Sequence, residues 1–347
     1  MWFPSIRVST RHCRRPLFQP AVWQLYCLPI VAAGLLASAG CDQLPAIVDG
    51  ATARQAGPAS APGPPPPLRA DSLLVDLPPR EADKIRIASY NIQVFGVTKE
   101  AKTQVMHVLA EIVRQFDVVA IQEIRSTDQG LMDRFVALVN QRGHSYHYVL
   151  GPRLGRTVSK EQYAFVYDTT RLTVDPRSVH TVDDPDDLLH REPLIARFVF
   201  NQLPAGQGFS FTLINMHTDP DEAEDEVNVL DDVFLSARAD GRYEEDVILL
   251  GDLNVNHERL GQLGGVPGIR CTVMGEPTNT AGTKSYDNLV FDPGATSEYT
   301  GRAGVLDVQR AFRLTDEQAK EVSDHRPVWA EFSIYERRAT SLAARPR

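Results

Sequence analysis

Val247-Ile248-Leu249-Leu250-Gly251-Asp252-Leu253-Asn254 is a short apolar run that breaks at a glycine and delivers a carboxylate and an amide two residues apart. The run is too short for an ordinary helix and rich in aliphatic side chains, which suits a strand buried on both faces. At its end Gly251 is expected to let the backbone turn, so that the alternate residues Asp252 and Asn254 face the same side. A Gly-Asp pair after a strand is ordinarily just a turn, and Asp252 gains meaning only from what the rest of the chain brings to it.

Outward from this run, Phe209 to Met216 reads as a strand ending at His217 and Asp221 to Arg238 as helical, with Asp246 to Leu250 as the strand that follows. The same order occurs earlier. Ile85 to Asn91 is a strand. Val105, Val108, Leu109, Ile112 and Val113 fall at helical spacing, which predicts one amphipathic helix from Lys99 to Phe116. Val118 to Glu123 is a second strand ending in an acid, and Leu131 to Val139 a second helix. Further strands are predicted near Tyr146 to Leu150, Gln162 to Tyr167, Leu194 to Phe200, Tyr286 and Pro327, while Thr278 to Lys284 has no clear assignment. Strand, helix, strand-with-acid thus appears twice, which suggests two similarly built halves packed sheet on sheet.

Asn91, Glu123, His217, Asp252 and Asn254 close strands in this reading, and Asp287, Asp324 and His325 open them. Oppositely directed strands place one strand's end beside another's beginning, so these groups would meet on one rim. Carboxylate and amide oxygens suit a hard cation such as magnesium or manganese, and two histidines near acids suit proton transfer. Cysteine ligands of the kind a structural zinc site needs are absent from the set.

Composition bounds the rest. The chain has 347 residues and 43% apolar content, enough for a sizeable core. Residues 1–40 carry Arg7, Arg11, Arg14 and Arg15, then an apolar stretch interrupted by Pro29, then small residues before Cys41, the order of an export signal. Residues 41–80 are rich in Pro, Ala and Gly and read as an extended spacer, with a reach of roughly 35 Å if flexible. Residues 81–336 form the expected folded domain, and 337–347 a disordered tail. The formal charge is −9, and loss of the four leader arginines would leave −13. Such a protein does not wrap nucleic acid by net charge alone, so a phosphodiester substrate would need metal ions and local arginines. Nothing in the sequence requires a protein partner.

Eight motifs carry a resemblance. Ser89-Tyr90-Asn91-Ile92-Gln93-Val94-Phe95-Gly96, Ile121-Gln122-Glu123-Ile124-Arg125, Lys160-Glu161-Gln162-Tyr163, Arg191-Glu192-Pro193, His217-Thr218-Asp219-Pro220, Gly251-Asp252-Leu253-Asn254, Ser285-Tyr286-Asp287 and Ser323-Asp324-His325-Arg326-Pro327 resemble, in order, those of the deoxyribonuclease I family of the endonuclease/exonuclease/phosphatase superfamily. The resemblance implies an α/β fold, a four-layer αββα sandwich of two mostly antiparallel mixed sheets flanked by helices. It implies Glu123 as principal metal ligand with Asn91, Asp252 and Asp324, and magnesium or manganese as the ion, with calcium in a structural or activating role. Asn254 would assist at the same place. His217 and His325 would flank the scissile phosphate, oriented by Glu161 and Asp287. Arg125 matches a residue that reaches the minor groove, and Arg191 one that contacts the DNA backbone. Ser38 to Cys41 resembles a bacterial lipobox, implying lipidation of Cys41 and a protein anchored to a bacterial membrane.

Ser159 stands where the animal enzymes have a stacking tyrosine, and Lys284 where they have a disulfide cysteine. The acidic run Asp221 to Glu226 reads as a solvated helix start. Asp183 to Asp187 reads as a hydrated acidic loop with a loose likeness to a calcium loop, and Gly264 to Gly268 as a plain loop. The expected activity is metal-dependent hydrolysis of DNA phosphodiesters. Its rivals are a superfamily relative acting on phospholipid or inositol phosphates, and a catalytically silent surface module.

Overall fold

The computed structural model describes residues 77–242 and 244–337. The proposed signal, Cys41 and most of the spacer lie outside them, as does the tail beyond Arg337. Residues 77–80, read as the end of the spacer, pack on the domain: Leu77 joins the core and Arg80 pairs with Asp117 at 2.5 Å. Extended, proline-containing chain can be ordered where a buried carboxylate offers it a partner, and Asp117 is almost fully buried.

Thirteen strands are described: β1 (Lys84–Phe95), β2 (Val118–Ile124), β3 (Tyr146–Leu150), β4 (Gln162–Asp168), β5 (Leu172–Val174), β6 (His180–Thr181), β7 (Leu194–Phe200), β8 (Ser210–His217), β9 (Val247–Asp252), β10 (Arg270–Cys271), β11 (Asp287–Phe291), β12 (Tyr299–Val305) and β13 (Val328–Ser333). They form one sheet in the order β12-β13-β1-β2-β4-β3 and another in the order β10-β11-β9-β8-β7-β5, with β6 beside β7. Most pairs are antiparallel; β1–β2 and β8–β9 are parallel. Between each parallel pair runs helical chain: α1 (Val97–Glu100) and α2 (Thr103–Val113) in the first, α4 (Ala223–Val227) and α5 (Leu230–Arg238) in the second. The helix α3 (Leu131–Val139) packs beside α2, and α6 (Gly261–Gly265), α7 (Val308–Phe312) and α8 (Asp316–Val322) complete the set. Three apolar clusters separate the layers: one between the first sheet and its helices, one between the sheets, one between the second sheet and its helices. This is the expected four-layer sandwich.

Two helices predicted as single are broken. The Lys99 to Phe116 segment divides at Lys102, whose backbone leaves the helical region, and Lys99 is buried instead of starting an exposed turn. The 221–238 segment divides between Val227 and Leu230. The 264–268 loop begins as the one-turn α6. The two halves are not self-contained either: β12 and β13, late in the chain, complete the sheet that β1 begins.

Period-two alternation explains where the polar residues go. On the face that meets the opposing sheet, β8 presents Phe211, Leu213, Asn215 and His217, and β9 presents Ile248, Leu250 and Asp252. β1 presents Ile85, Ile87, Ser89 and Asn91 in the same way, and β11 runs Asp287, Leu289, Phe291. At one end of the inter-sheet layer, the apolar alternation therefore turns polar in several strands together.

Candidate active site

Gly251 does not turn the chain. It stays in β9, paired with Met216 of β8, and a Cβ there would lie 1.7 Å from the Met216 carbonyl oxygen. Glycine is required by that close approach and by its φ of +155°. Asp252 ends the strand fully buried, opposite His217 and Asp287 on the neighbouring strands. Asn254 follows in a left-handed conformation, φ +50°, and donates to the Thr218 carbonyl at 2.9 Å, bracing the chain just after His217.

One oxygen of Asp252 is the meeting point. Its Oδ2 lies 3.6 Å from His217 Nε2 and 3.4 Å from His325 Nε2, and accepts from Asn91 Nδ2 at 3.1 Å. The far nitrogen of each imidazole meets its own acid: His217 Nδ1 is 2.7 Å from Glu161 Oε1, and His325 Nδ1 is 2.8 Å from Asp287 Oδ2. Each acid fixes its ring's orientation, and both rings aim Nε2 at the same place.

The neighbours tune the protons. Burial alone would lower His325, but Asp287 and Asp252 outweigh it and push it up to about 11. Burial works the same way on His217, and Glu161 and Asp252 raise it above the usual imidazole value, with Arg191 acting against them. Burial and then Asp252 hold the Asp287 carboxyl above its ordinary range against the pull of His325, so that pair keeps its shared proton. Glu161, although buried, is pulled below its ordinary range by His217, Arg191 and Arg125.

Glu123 comes from the other sheet. Its carboxylate accepts from Val94 N at 2.8 Å and Asn91 Nδ2 at 3.2 Å, and pairs with Arg125 at 3.1 Å. The backbone is bent to bring it there: Gln93, Val94 and Glu123 all have positive φ, where β1 and β2 slip register. Non-glycine residues in that region cost roughly 1–3 kcal/mol each and persist where surrounding contacts hold them. Glu123 and Asp252 thus bracket the single Asn91 amide from opposite sheets. The two carboxylates are hard oxygen donors that fit a magnesium-like cation, while Asn91 turns its Nδ2 to both and its Oδ1 accepts from Gln93 N at 3.0 Å. Asp324 is exposed at the rim, where it lines a depression together with His325, Gln93, Asn279 and Tyr286.

Of the two arginines, one is placed differently from expectation. Arg191, expected at a DNA backbone, is 4% exposed, and its guanidinium donates to the His217 carbonyl at 3.1 Å and lies 3.3 Å from Glu161. Packed under the histidine, it braces the Glu161 arm. Arg125 lies across Glu123 and Glu161, reaching Ser159 at 2.8 Å, and is partly open to solvent.

Four supporting residues carried no usable signal in the sequence. Lys99 is buried and donates to the carbonyls of Ile92 and Val322 at 2.7 and 2.9 Å, tying the bulge of β1 to the loop that bears His325. Thr278, in the segment without an assignment, donates to Asp287 at 2.7 Å. Asn215 joins the sheets beneath the site, accepting from Gln122 at 2.7 Å. Glu226, assigned to a solvated helix start, is fully buried and accepts from His190 N and Asp219 N, which pins the loop after His217. Burial pushes its carboxyl up to about 7. In the Asp183 to Asp187 loop, Arg156 pairs with Asp187 at 3.0 Å.

A two-sheet sandwich with hard oxygen donors and two imidazole–carboxylate pairs on one rim is the architecture of a phosphoester hydrolase. Residues 88–309 match the endonuclease/exonuclease/phosphatase family. Deoxyribonuclease gamma of Rattus norvegicus is 30% identical, covering 79% of this chain and 92% of its own length. Deoxyribonuclease-1-like 1 of Homo sapiens is 31% identical, covering 73% and 86%. The crystal structure of humanized D. rerio TDP2 superposes with a TM-score of 0.50 at 16% identity over 73% of this chain and all of that one, a likeness of fold. The chain belongs to the endonuclease/exonuclease/phosphatase family, in its deoxyribonuclease I-like branch, whose enzymes are generally dependent on divalent metal.

Proposed function

We propose that the protein hydrolyses DNA phosphodiester bonds as an endonuclease, with magnesium or manganese held by Glu123, Asp252 and Asn91 and with Asp324 at the rim. The observation that carries this reading is the convergence of both imidazole Nε2 atoms on one oxygen of Asp252. A phosphate between the imidazoles would have a proton acceptor on one side and a donor on the other. One imidazole takes a proton from the attacking water, whose oxygen bonds to phosphorus. The other gives a proton to the leaving 3′ oxygen as the P–O bond breaks. Glu161 and Asp287 hold the tautomers and stabilise the imidazolium. A bound hard cation would supply charge neutralisation at the phosphoryl oxygens. Arg125, beside the rim and partly exposed, is suited to a groove or backbone contact. Calcium as a structural or activating ion belongs to the same proposal, as do export and tethering to a bacterial membrane through lipid on Cys41, which the order of residues 1–41 supports.

Incubation of the full chain with supercoiled plasmid and magnesium should give nicked circles, and a chelator should stop it. Intact plasmid, together with release of phosphate or phosphocholine from lipid substrates, would replace this reading with a lipid phosphoesterase. Binding of DNA without cleavage would point to a silent module.

A further inference from the structure

The end of the sandwich opposite the catalytic rim holds a second acidic cluster. Asp246 immediately precedes β9, whose other end is Asp252. Six residue steps along the strand separate the two carboxylates by roughly 20 Å. Glu298 precedes β12 and Glu336 follows β13, so both belong to the first sheet, whereas Asp246 belongs to the second. One carboxylate oxygen from each of Asp246, Glu298 and Glu336 lies within 4.8 Å of the others. Glu244 and Glu245 stand beside them.

Most acidic clusters are solvated, but here two of the three residues are buried and Glu336 is half-buried. Asp246 is fully buried and Glu298 is 1% exposed. Among the described residues neither oxygen of Asp246 has a well-formed hydrogen-bond partner, nor has Glu298 Oε2; the Thr296 hydroxyl lies near enough to Asp246 to act on its carboxyl. Two other oxygens are engaged: Glu298 Oε1 accepts from Arg337 N at 2.5 Å, and Glu336 Oε2 from Ser210 N at 2.9 Å. Glu244 is satisfied by Arg197 and Ser210. What remains is a set of free, inward oxygens, all hard donors, in a place where unpaired carboxylates are costly. Two neutralisers are available to such a group, protons or a cation.

We infer that Asp246, Glu298 and Glu336, with the Thr296 hydroxyl, form a calcium site that clamps the two sheets together at the end remote from the chemistry. Calcium suits it better than magnesium because the donors are irregularly placed and come from three separate segments, and calcium accepts variable geometry at 2.3–2.6 Å where magnesium demands a near-ideal octahedron. The inference is independent of the proposed nuclease activity. It requires only that the fold bring these three segments together.

The test uses the full chain carrying Glu123→Gln and Asp252→Asn, so that the catalytic rim cannot contribute, with thermal unfolding followed as calcium chloride is titrated into chelator-treated protein. The melting temperature should rise by roughly 5 °C at calcium a hundredfold above its dissociation constant. Adding Asp246→Asn, or separately Glu298→Gln, should abolish the rise; the second variant serves if the first does not fold. Glu298→Gln in the otherwise unaltered chain should keep its plasmid nicking at 25 °C. Absence of a calcium-dependent rise in the rim-disabled chain would mean that protons neutralise the cluster, and would overturn the site. A rise that survives both substitutions would also overturn it. An equal rise with magnesium would overturn the assignment of calcium.

Discussion

The two imidazole–carboxylate arms look alike in outline and differ in support. The His217 arm is built on strand ends: His217 closes β8, Glu161 directly precedes β4 in the opposing sheet, and Arg191 and Tyr163 both bond the His217 carbonyl. The His325 arm joins a strand residue, Asp287, to a loop residue, and its support is the Thr278 hydroxyl and the 278–284 segment folded against that loop. Glu161 is held below its ordinary range by His217 and by two guanidiniums, whereas Asp287 is raised above its own by burial and then by Asp252. Chemically equivalent pairs are therefore set to different proton affinities by what lies behind them.

The largest effect should come from the group the arms share. Asp252→Ala should lower plasmid nicking by roughly 10⁴-fold or more, since it removes a cation ligand and the partner of both rings. Losses confined to tenfold would break the picture of one shared centre. His217→Ala and His325→Ala should each cost about 10²- to 10⁴-fold, and their combination less than the product of the two, because the residues act as a unit.

Next come the acids behind the rings, where activity and stability should part company. Glu161→Gln and Asp287→Asn should both slow nicking. Glu161→Gln should destabilise the more, by about 3 kcal/mol, since it leaves the buried Arg191 guanidinium, which cannot deprotonate, without its carboxylate, whereas His325 can shed its proton when Asp287 is lost. Equal melting temperatures for the two variants, measured calorimetrically, would erase the distinction drawn between the arms.

The smallest effect is a titration. In cation-free protein His325 is held charged, so its ring should remain protonated past pH 8 in nitrogen-15 imidazole spectra. Its contribution to stability is fully present below the unfolded value near ~6.5 and is lost as pH rises through about 11. Asp287→Asn should bring the ring's titration down toward the ordinary range. Loss of the His325 proton near pH 6.5 in the unaltered chain would show that the flanking carboxylates do not set it.

Much of the fold was legible because burial on both faces leaves near-continuous apolar runs, as in β9, and because helical spacing is plain in α2 and α3. The catalytic side chains were legible because they sit where those runs end. Boundaries were less so. Lys99 looked like an exposed helix start because a lysine carries no mark of burial; only the carbonyls of Ile92 and Val322, distant in the chain, make its burial tolerable. Glu226 looked solvated amid other acids for the same reason. Short strands such as β5, β6 and β10 have too few residues for an alternation to register. Gly251 was marked correctly as special, but the need for it lies in Met216 on the next strand.

By itself the sequence determined which residues face the inter-sheet layer and where that layer turns polar, because strand alternation is local and has a period of two. The tertiary structure decided which of those polar groups share an atom. Asn91 and Asp252 are 161 residues apart and bond directly, and Arg191 turns inward to brace His217. Such contacts follow from sheet order and the burial of charge beside charge, which no local pattern encodes.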